Sequence, residues 1–377
     1  MPPGLVYERL ATDPHIRSRR VELRPGNTGL TCRGATVSGS DQSSWLLIAT
    51  VNEDGEPEVV GSETRPYSFV PVHKHFKRRG SLRELSATVE RLRLEPEPFK
   101  IKFGDRRVAA VPLTVESRLH GFWFWSALAD VPIHTPPHAG AWVIDLTTYT
   151  ALGSTEWAQM ADIPEDMRGQ ERHVGAMFAQ VDTSKGKEPQ ALSLIEGKPV
   201  GASFQAEWIV SRRDESRWRA QFHLRIQEVE RNGGLHRVAL GLSHNIGELD
   251  GLRGRRKLAD LNNRVLRASR EPGEYVALMS AKTPQLIRWL TDPSPEIAWL
   301  GVEHEPQPAI HPDDFPEACR ILHVDTEREG GIGRGEVRVR GVDGAWIPIR
   351  VIAERVEMEA EEEAVSARVF VSESGLR

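Results

Sequence analysis

The feature that most limits the fold is a repeat between the middle and the end of the chain. A turn Asp precedes a Trp at Asp214 and Trp218, and again at Asp343 and Trp346; each Trp opens a long strand, followed by a polar turn and a final strand. The offset of 128 residues from Trp218 to Trp346 is the size of a domain and too long for a solenoid period, so it predicts duplicated domains. Within the first copy, Trp218, Ala220, Phe222, Leu224 and Ile226 alternate with Arg219, Gln221, His223 and Arg225. That is the period of a strand with one face in a core and the other toward solvent or a partner.

With 377 residues in total, the chain has room for the two copies and a further domain of about 100 residues. Trp45 to Val51 reads as a buried strand, Asn52 to Gly55 as a turn and Glu58 to Val60 as its return. A polar helix is expected over 82–92, then a meander through Phe99 to Phe103, Val108 to Val115 and Gly121 to Leu128, ended by a Pro/His stretch at 131–138. The second unit opens on Ala141 to Asp145 and closes with strands over 204–211, 218–229 and 235–246. The third has strands at 275–280 and 285–290, short helices over 295–303 and 312–322, and closing strands at 335–340, 346–356 and 364–371.

The resulting division is a flexible N-terminal arm over 1–42, a domain over 43–138, a domain over 139–250, an amphipathic connecting helix over 251–271 and a domain over 272–377. The fold class is α+β, each domain an antiparallel sheet flanked by short helices. The acidic run Glu357 to Glu363 reads as the exposed turn of the last hairpin, and the basic run Lys74 to Arg79 as solvated surface.

The third unit carries Ile310-His311-Pro312-Asp313-Asp314, then Gly335 to Arg340, a Gly-Val-Asp-Gly turn and Trp346 opening a long strand. In this order it resembles a PAS domain, and by duplication the second unit resembles a more divergent one. In the first, Arg107 to Leu113 leading to Leu119 to Phe124 is similar to the end of a GAF domain. GAF and PAS domains share a related sheet plan, so that unit fits either. Three such domains in tandem resemble the actinobacterial triple sensor-domain family described from mycobacteria. The resemblance implies the fold and a broad sensory class; with an ordinary globular composition and no catalytic motif, the chain reads as a cytoplasmic, non-catalytic sensory protein that binds a small ligand or a protein partner and signals in trans. The alternative is a ligand-free interaction adaptor built from degenerate sensor domains. Dimer formation is compatible with either.

No cofactor is expected. Cys319 lies in Glu317-Ala318-Cys319-Arg320, which does not match the Asn-Cys-Arg context of a PAS flavin photosensor, and the first domain lacks the Cys a bilin-carrying GAF domain needs. Haem would require an axial His that no motif here designates. No metal site is expected either: in His134-Thr135-Pro136-Pro137-His138 the prolines prevent the helix that would put both histidines on one face. Ser243 and His244 are neighbours in a strand and point to opposite faces, so they make no nucleophile and base pair. His311 reads as a turn residue opening a helix whose first-turn Asp favours the dipole. A net charge of -5 argues against nucleic acid as partner, and no apolar run approaches a membrane span. The candidate residues are aromatic: Trp123, Trp125, Trp208, Trp218, Phe222 and Trp346 either line small-molecule cavities or fill cores.

Overall fold

The computed structural model describes residues 44–52, 55–76, 79–182, 199–249, 271–280, 282–301, 308–323, 331–357 and 363–371. The arm expected over 1–42, residues 251–270 of the expected connecting helix, and residues 358–362 of the acidic run lie outside them.

The first sheet begins with β1 (Leu46–Ala49), β2 (Glu58–Ser62) and β3 (Arg65–Pro71). Helices α1 (Val72–His75) and α2 (Arg79–Leu94) follow, then β4 (Phe99–Phe103), β5 (Arg106–Val115) and β6 (Arg118–Leu128), in the antiparallel order β3-β2-β1-β6-β5-β4. Helix α2 is amphipathic: Leu85, Val89 and Leu92 recur at helical spacing and pack on Leu46, Ile48, Phe122 and Phe124 of one sheet face. Under it, the buried carboxylate of Glu84 accepts a 2.5 Å hydrogen bond from Ser126 Oγ and lies 3.5 Å from Arg106 Nε.

The second sheet comprises β7 (Ala139–Asp145), β8 (Thr150–Gly153), β9 (Arg172–His173), β10 (Val181–Asp182), β11 (Ser203–Ser211), β12 (Arg217–Arg231) and β13 (Gly234–Glu248), with α3 (Thr155–Met160) and α4 (Val174–Phe178) between β8 and β10. Its order is β10-β11-β12-β13-β7-β8-β9. The β12–β13 hairpin turns at Asn232 (φ 51°) and Gly233 (φ 79°), the two positive-φ positions of a tight turn whose twist matches its strands. Helix α3 is capped by Ser154, whose hydroxyl accepts from Trp157 N–H, and it docks on Gly140 so closely that a Cβ there would lie 2.4 Å from Trp157 N.

The polar face of β12 is exposed at Arg219 but covered from His223 to Gln227. There it packs against the first sheet, because the apolar faces of β5 and β6 continue into those of β7 and β13. Trp123, Trp125 and Leu113 share one core with Ala141, Val143, Val238, Leu240 and Leu242. Polar side chains around that core are tied across it. Arg225 reaches Glu58 at 2.6 Å, His223 Nε2 donates to Tyr67 O at 3.0 Å, and His244 Nε2 donates to Glu63 O. His120, also buried, lies 3.3 Å from Gly241 O.

The third sheet contains β14 (Glu274–Ser280), β15 (Leu286–Trp289), β16 (Ile332–Arg340), β17 (Trp346–Glu357) and β18 (Glu363–Val371), ordered β15-β14-β18-β17-β16. Helix α5 (Phe315–Leu322) follows a single 3-10 turn over Pro312–Asp314, at whose start His311 Nδ1 accepts from Asp313 N–H at 3.2 Å. Asp314 holds Arg338 at 2.7 Å, and that hydrogen-bonded guanidinium pulls its carboxyl down to about 2. The helix expected from Pro295 does not form over 295–301. There Ile297 instead bridges Gly341 beyond the end of β16.

All three sheets share one plan. Each opens with a hairpin (β1–β2, β7–β8, β14–β15), ends in a three-strand meander, and pairs its first strand with its last, as β1–β6, β7–β13 and β14–β18. The protein is α+β, with sheet dominating.

Candidate ligand-binding site

Between the third sheet and helix α5 lies a cavity of about 90 Å³. The sequence builds it from two amphipathic patterns. On α5, Ala318, Ile321 and Leu322 fall on one face at helical spacing; on the sheet, Val337 and Val339, Ile349 and Val351, and Ala367 and Val369 alternate inward. Small residues on the sheet leave the space: Ala277 and Ala367 stand where larger side chains would meet the helix. Met279, Trp289, Trp299 and Ile310 also line the cavity yet are only half buried, so apolar walls run out to the surface. Trp289 Nε1 is buried with no acceptor among the described residues. Cys319, on the same helix, is not among the lining residues.

The wall formed by β14 and β15 has two sides. Ala277, Met279, Leu286 and Trp289 face the cavity, while Leu278 and Ile287 are buried in the aromatic core of the second unit. Helix α4 rests on this second side. Gly175 allows a close contact, since a Cβ there would lie 3.0 Å from Ile287 O. His173 Nδ1 accepts from Gly175 N–H at 3.1 Å, and complete burial lowers the imidazole to about 4. Its Nε2 is directed at the Leu286 carbonyl without closing a full hydrogen bond.

The second unit holds a smaller cavity of about 40 Å³, bordered by Trp142, Trp157, Trp208, Trp218 and Phe222. The Phe222 ring lies 4.9 Å from Trp208 and 6.2 Å from Trp142. The indole N–H groups of Trp208 and Trp218 lack acceptors among the described residues. A space of this size accommodates water.

Of the six aromatic candidates, Trp208, Trp218 and Phe222 are therefore brought together around one space. Trp123 and Trp125 border neither cavity; they are buried in the core between the first and second sheets, as inward residues of a strand covered by another sheet must be. Trp346 is also outside both cavities. It sits half buried at the start of β17, with Arg340 4.2 Å above its ring and His311 4.9 Å away. The larger cavity is lined by Ala, Val, Ile, Leu, Met and Pro together with Trp289 and Trp299. A search for conspicuous aromatics passes over most of these. The spacing of Ala318, Ile321 and Leu322 on an amphipathic α5 was the available signal.

Among the described residues no group of three metal-ligating side chains converges. His73 is held 2.5 Å from Glu56, and His134 3.0 Å from Glu63. Ser243 Oγ accepts from Trp142 Nε1 at 2.9 Å, while the neighbouring His244 ring faces the first sheet. No helix among the described residues is long and apolar enough to cross a membrane.

These features define a class: α+β proteins of successive first-to-last antiparallel sheets, with an apolar cavity under the last. Residues 44–137 match the N-terminal domain of Rv3651-like proteins, and residues 259–371 match the Rv3651-like C-terminal domain. The chain thus carries both Rv3651-like domains, with the second sheet between them. Its fold is similar to that of an uncharacterised protein from Mycobacterium tuberculosis. That protein is 21% identical with a TM-score of 0.71, over 88% of this chain and 96% of the other. A sensory box histidine kinase/response regulator from Burkholderia thailandensis E264 matches at 16% identity over 35% of this chain and 88% of its own, with a TM-score of 0.22. The ligand-binding domain of a Pseudomonas aeruginosa amino-acid chemoreceptor, in complex with GABA, matches at 13% over 62% and 73%, with a TM-score of 0.15. Overlaps that small carry no argument about this chain. No curated protein matches it.

Proposed function

We propose that this chain is a cytoplasmic, non-catalytic sensory protein of GAF-like and PAS-like units that binds a small ligand in the third unit and signals in trans to a protein partner. The observation that carries the reading is the two-sided β14–β15 hairpin. A ligand against Ala277 and Met279 presses on strands whose opposite residues, Leu278 and Ile287, are core residues of the second unit. Close-packed cores respond to such displacement by shifting as units. The first-to-last strand pairing of each sheet supports the GAF and PAS likeness. The separation of Ser243 from His244 supports a chain without hydrolytic chemistry.

For the first unit the adaptor reading is favoured by a specific observation. Trp123 and Trp125, the aromatics that would line a pocket there, are used to hold the second sheet. That unit serves as scaffold and interaction surface. Native mass spectrometry of the full chain purified from its host tests the whole proposal. A stoichiometric small molecule is expected, absent from an Ala367→Leu protein that retains its circular dichroism. A wild-type chain at its bare mass would leave the adaptor reading for all three units.

A further inference from the structure

We propose that the third-unit cavity takes a small neutral molecule that is hydrocarbon over most of its surface. This rests on the third unit being the ligand-binding one. The lining decides the chemistry. Apart from the indoles of Trp289 and Trp299 and the weakly accepting thioether of Met279, no side chain among the described lining residues can donate or accept a hydrogen bond, and none is charged. A carboxylate, ammonium or phosphate enclosed there would lose its hydration without gaining a partner among the described lining residues, which disfavours charged ligands strongly. Amino acids, nucleotides and flavin phosphates are rejected on that ground.

Size narrows the class further. A cavity of about 90 Å³ is smaller than the ~150 Å³ space known to admit benzene, so it encloses a short chain or a branched fragment and no fused ring. The carbon skeleton lies against Ala367, Ile321 and Val339. The half-buried Met279, Trp299 and Ile310 at the edge leave a route for a longer tail to continue outward.

The test uses the full chain and four probes of similar size: 2-pentanone, pentane, butyrate and butylammonium, followed by thermal shift and calorimetric titration. We expect 2-pentanone and pentane to bind and raise the melting temperature. Ala367→Leu, which fills the space, should abolish both; Ala277→Val is the milder substitute if that protein does not fold. 2-Undecanone separates the two sources of such chemistry. Tighter binding than 2-pentanone marks the end of a longer chain, and weaker binding marks a free small molecule. Binding of butyrate or butylammonium that Ala367→Leu removes would overturn the neutral-ligand inference while leaving the sensor reading intact. Failure of all four probes, with a polar molecule found by native mass spectrometry, would refute the ligand class alone.

Discussion

Acidification should pull the first two sheets apart, and the magnitude can be worked from three histidines. His120 on β6, His223 on β12 and His244 on β13 are buried between the sheets, and each has its pKa lowered by burial from 6.5 to about 4. In His223 and His244 Nε2 carries the proton donated to a carbonyl, and Nδ1 has no partner among the described residues. A second proton would therefore leave a buried cation without an acceptor. The folded pKa lies below the unfolded one, so the unfolded chain binds protons more readily between about 6.5 and 4. Stability is complete above that window and is lost as pH falls through it. At pH 5 each histidine costs about 2 kcal/mol, and the three together about 6, comparable to the whole stability of a typical domain at ~5–15 kcal/mol. His173, at the contact with β15, titrates in the same window. Urea unfolding followed by tryptophan fluorescence at pH 7.5, 6 and 5 measures the loss. A triple variant, His120→Asn, His223→Gln and His244→Gln, keeps amide donors and should flatten most of the dependence. Equal midpoints at pH 7.5 and 5, or an undiminished slope in the triple variant, would refute the reasoning.

Phe222→Ala should destabilise by about 3 to 5 kcal/mol, because the vacated volume joins an existing space between Trp142 and Trp208 and cannot collapse. An unchanged urea midpoint with a lost ligand or partner response would show instead that the ring serves binding. Gly140→Ala puts a Cβ 2.4 Å from Trp157 N and must push α3 off β7, at a cost of about 1 to 3 kcal/mol or more; a wild-type melting curve would contradict the close docking. Asp145, almost wholly buried, accepts from Thr147 N–H, Thr148 N–H, Arg231 and His236 at 2.6 to 3.1 Å. Asp145→Ala should cost about 3 to 5 kcal/mol in denaturant titration, since it leaves Arg231 partly buried with less charge compensation.

Periodicity in the sequence predicts strands well where they are long. The expected 218–229 and 235–246 appear as Arg217–Arg231 and Gly234–Glu248, with the turn between them at Asn232 and Gly233. Trp218, Phe222, Leu224 and Ile226 do share a face. What alternation cannot reveal is the identity of the neighbour. The β12 face bearing His223 and Arg225 has the pattern of a solvated face, yet it docks on the first sheet through hydrogen bonds formed at separations of 156 and 167 residues. For the same reason Trp123 and Trp125 look like pocket residues until the second sheet covers them. Short β3, with Phe69 at φ 38°, has too little pattern to register. The cavity under α5 depends on alanines at 277 and 367, and small residues leave a mark only when the elements facing them are known.

The central claim is that occupancy of the third-unit cavity reaches the second unit through β14 and β15. Hydrogen–deuterium exchange of the full chain, with and without 2-pentanone at saturation, measures this directly. Slower exchange is expected in β14, β15 and α5, and also across the unit boundary at Gly175, Ala176 and Phe178 of α4, with β4 and β5 unaffected. The Ala367→Leu protein should show the same protected pattern without ligand. Protection confined to the third unit, with α4 exchanging at its free rate, would contradict the account.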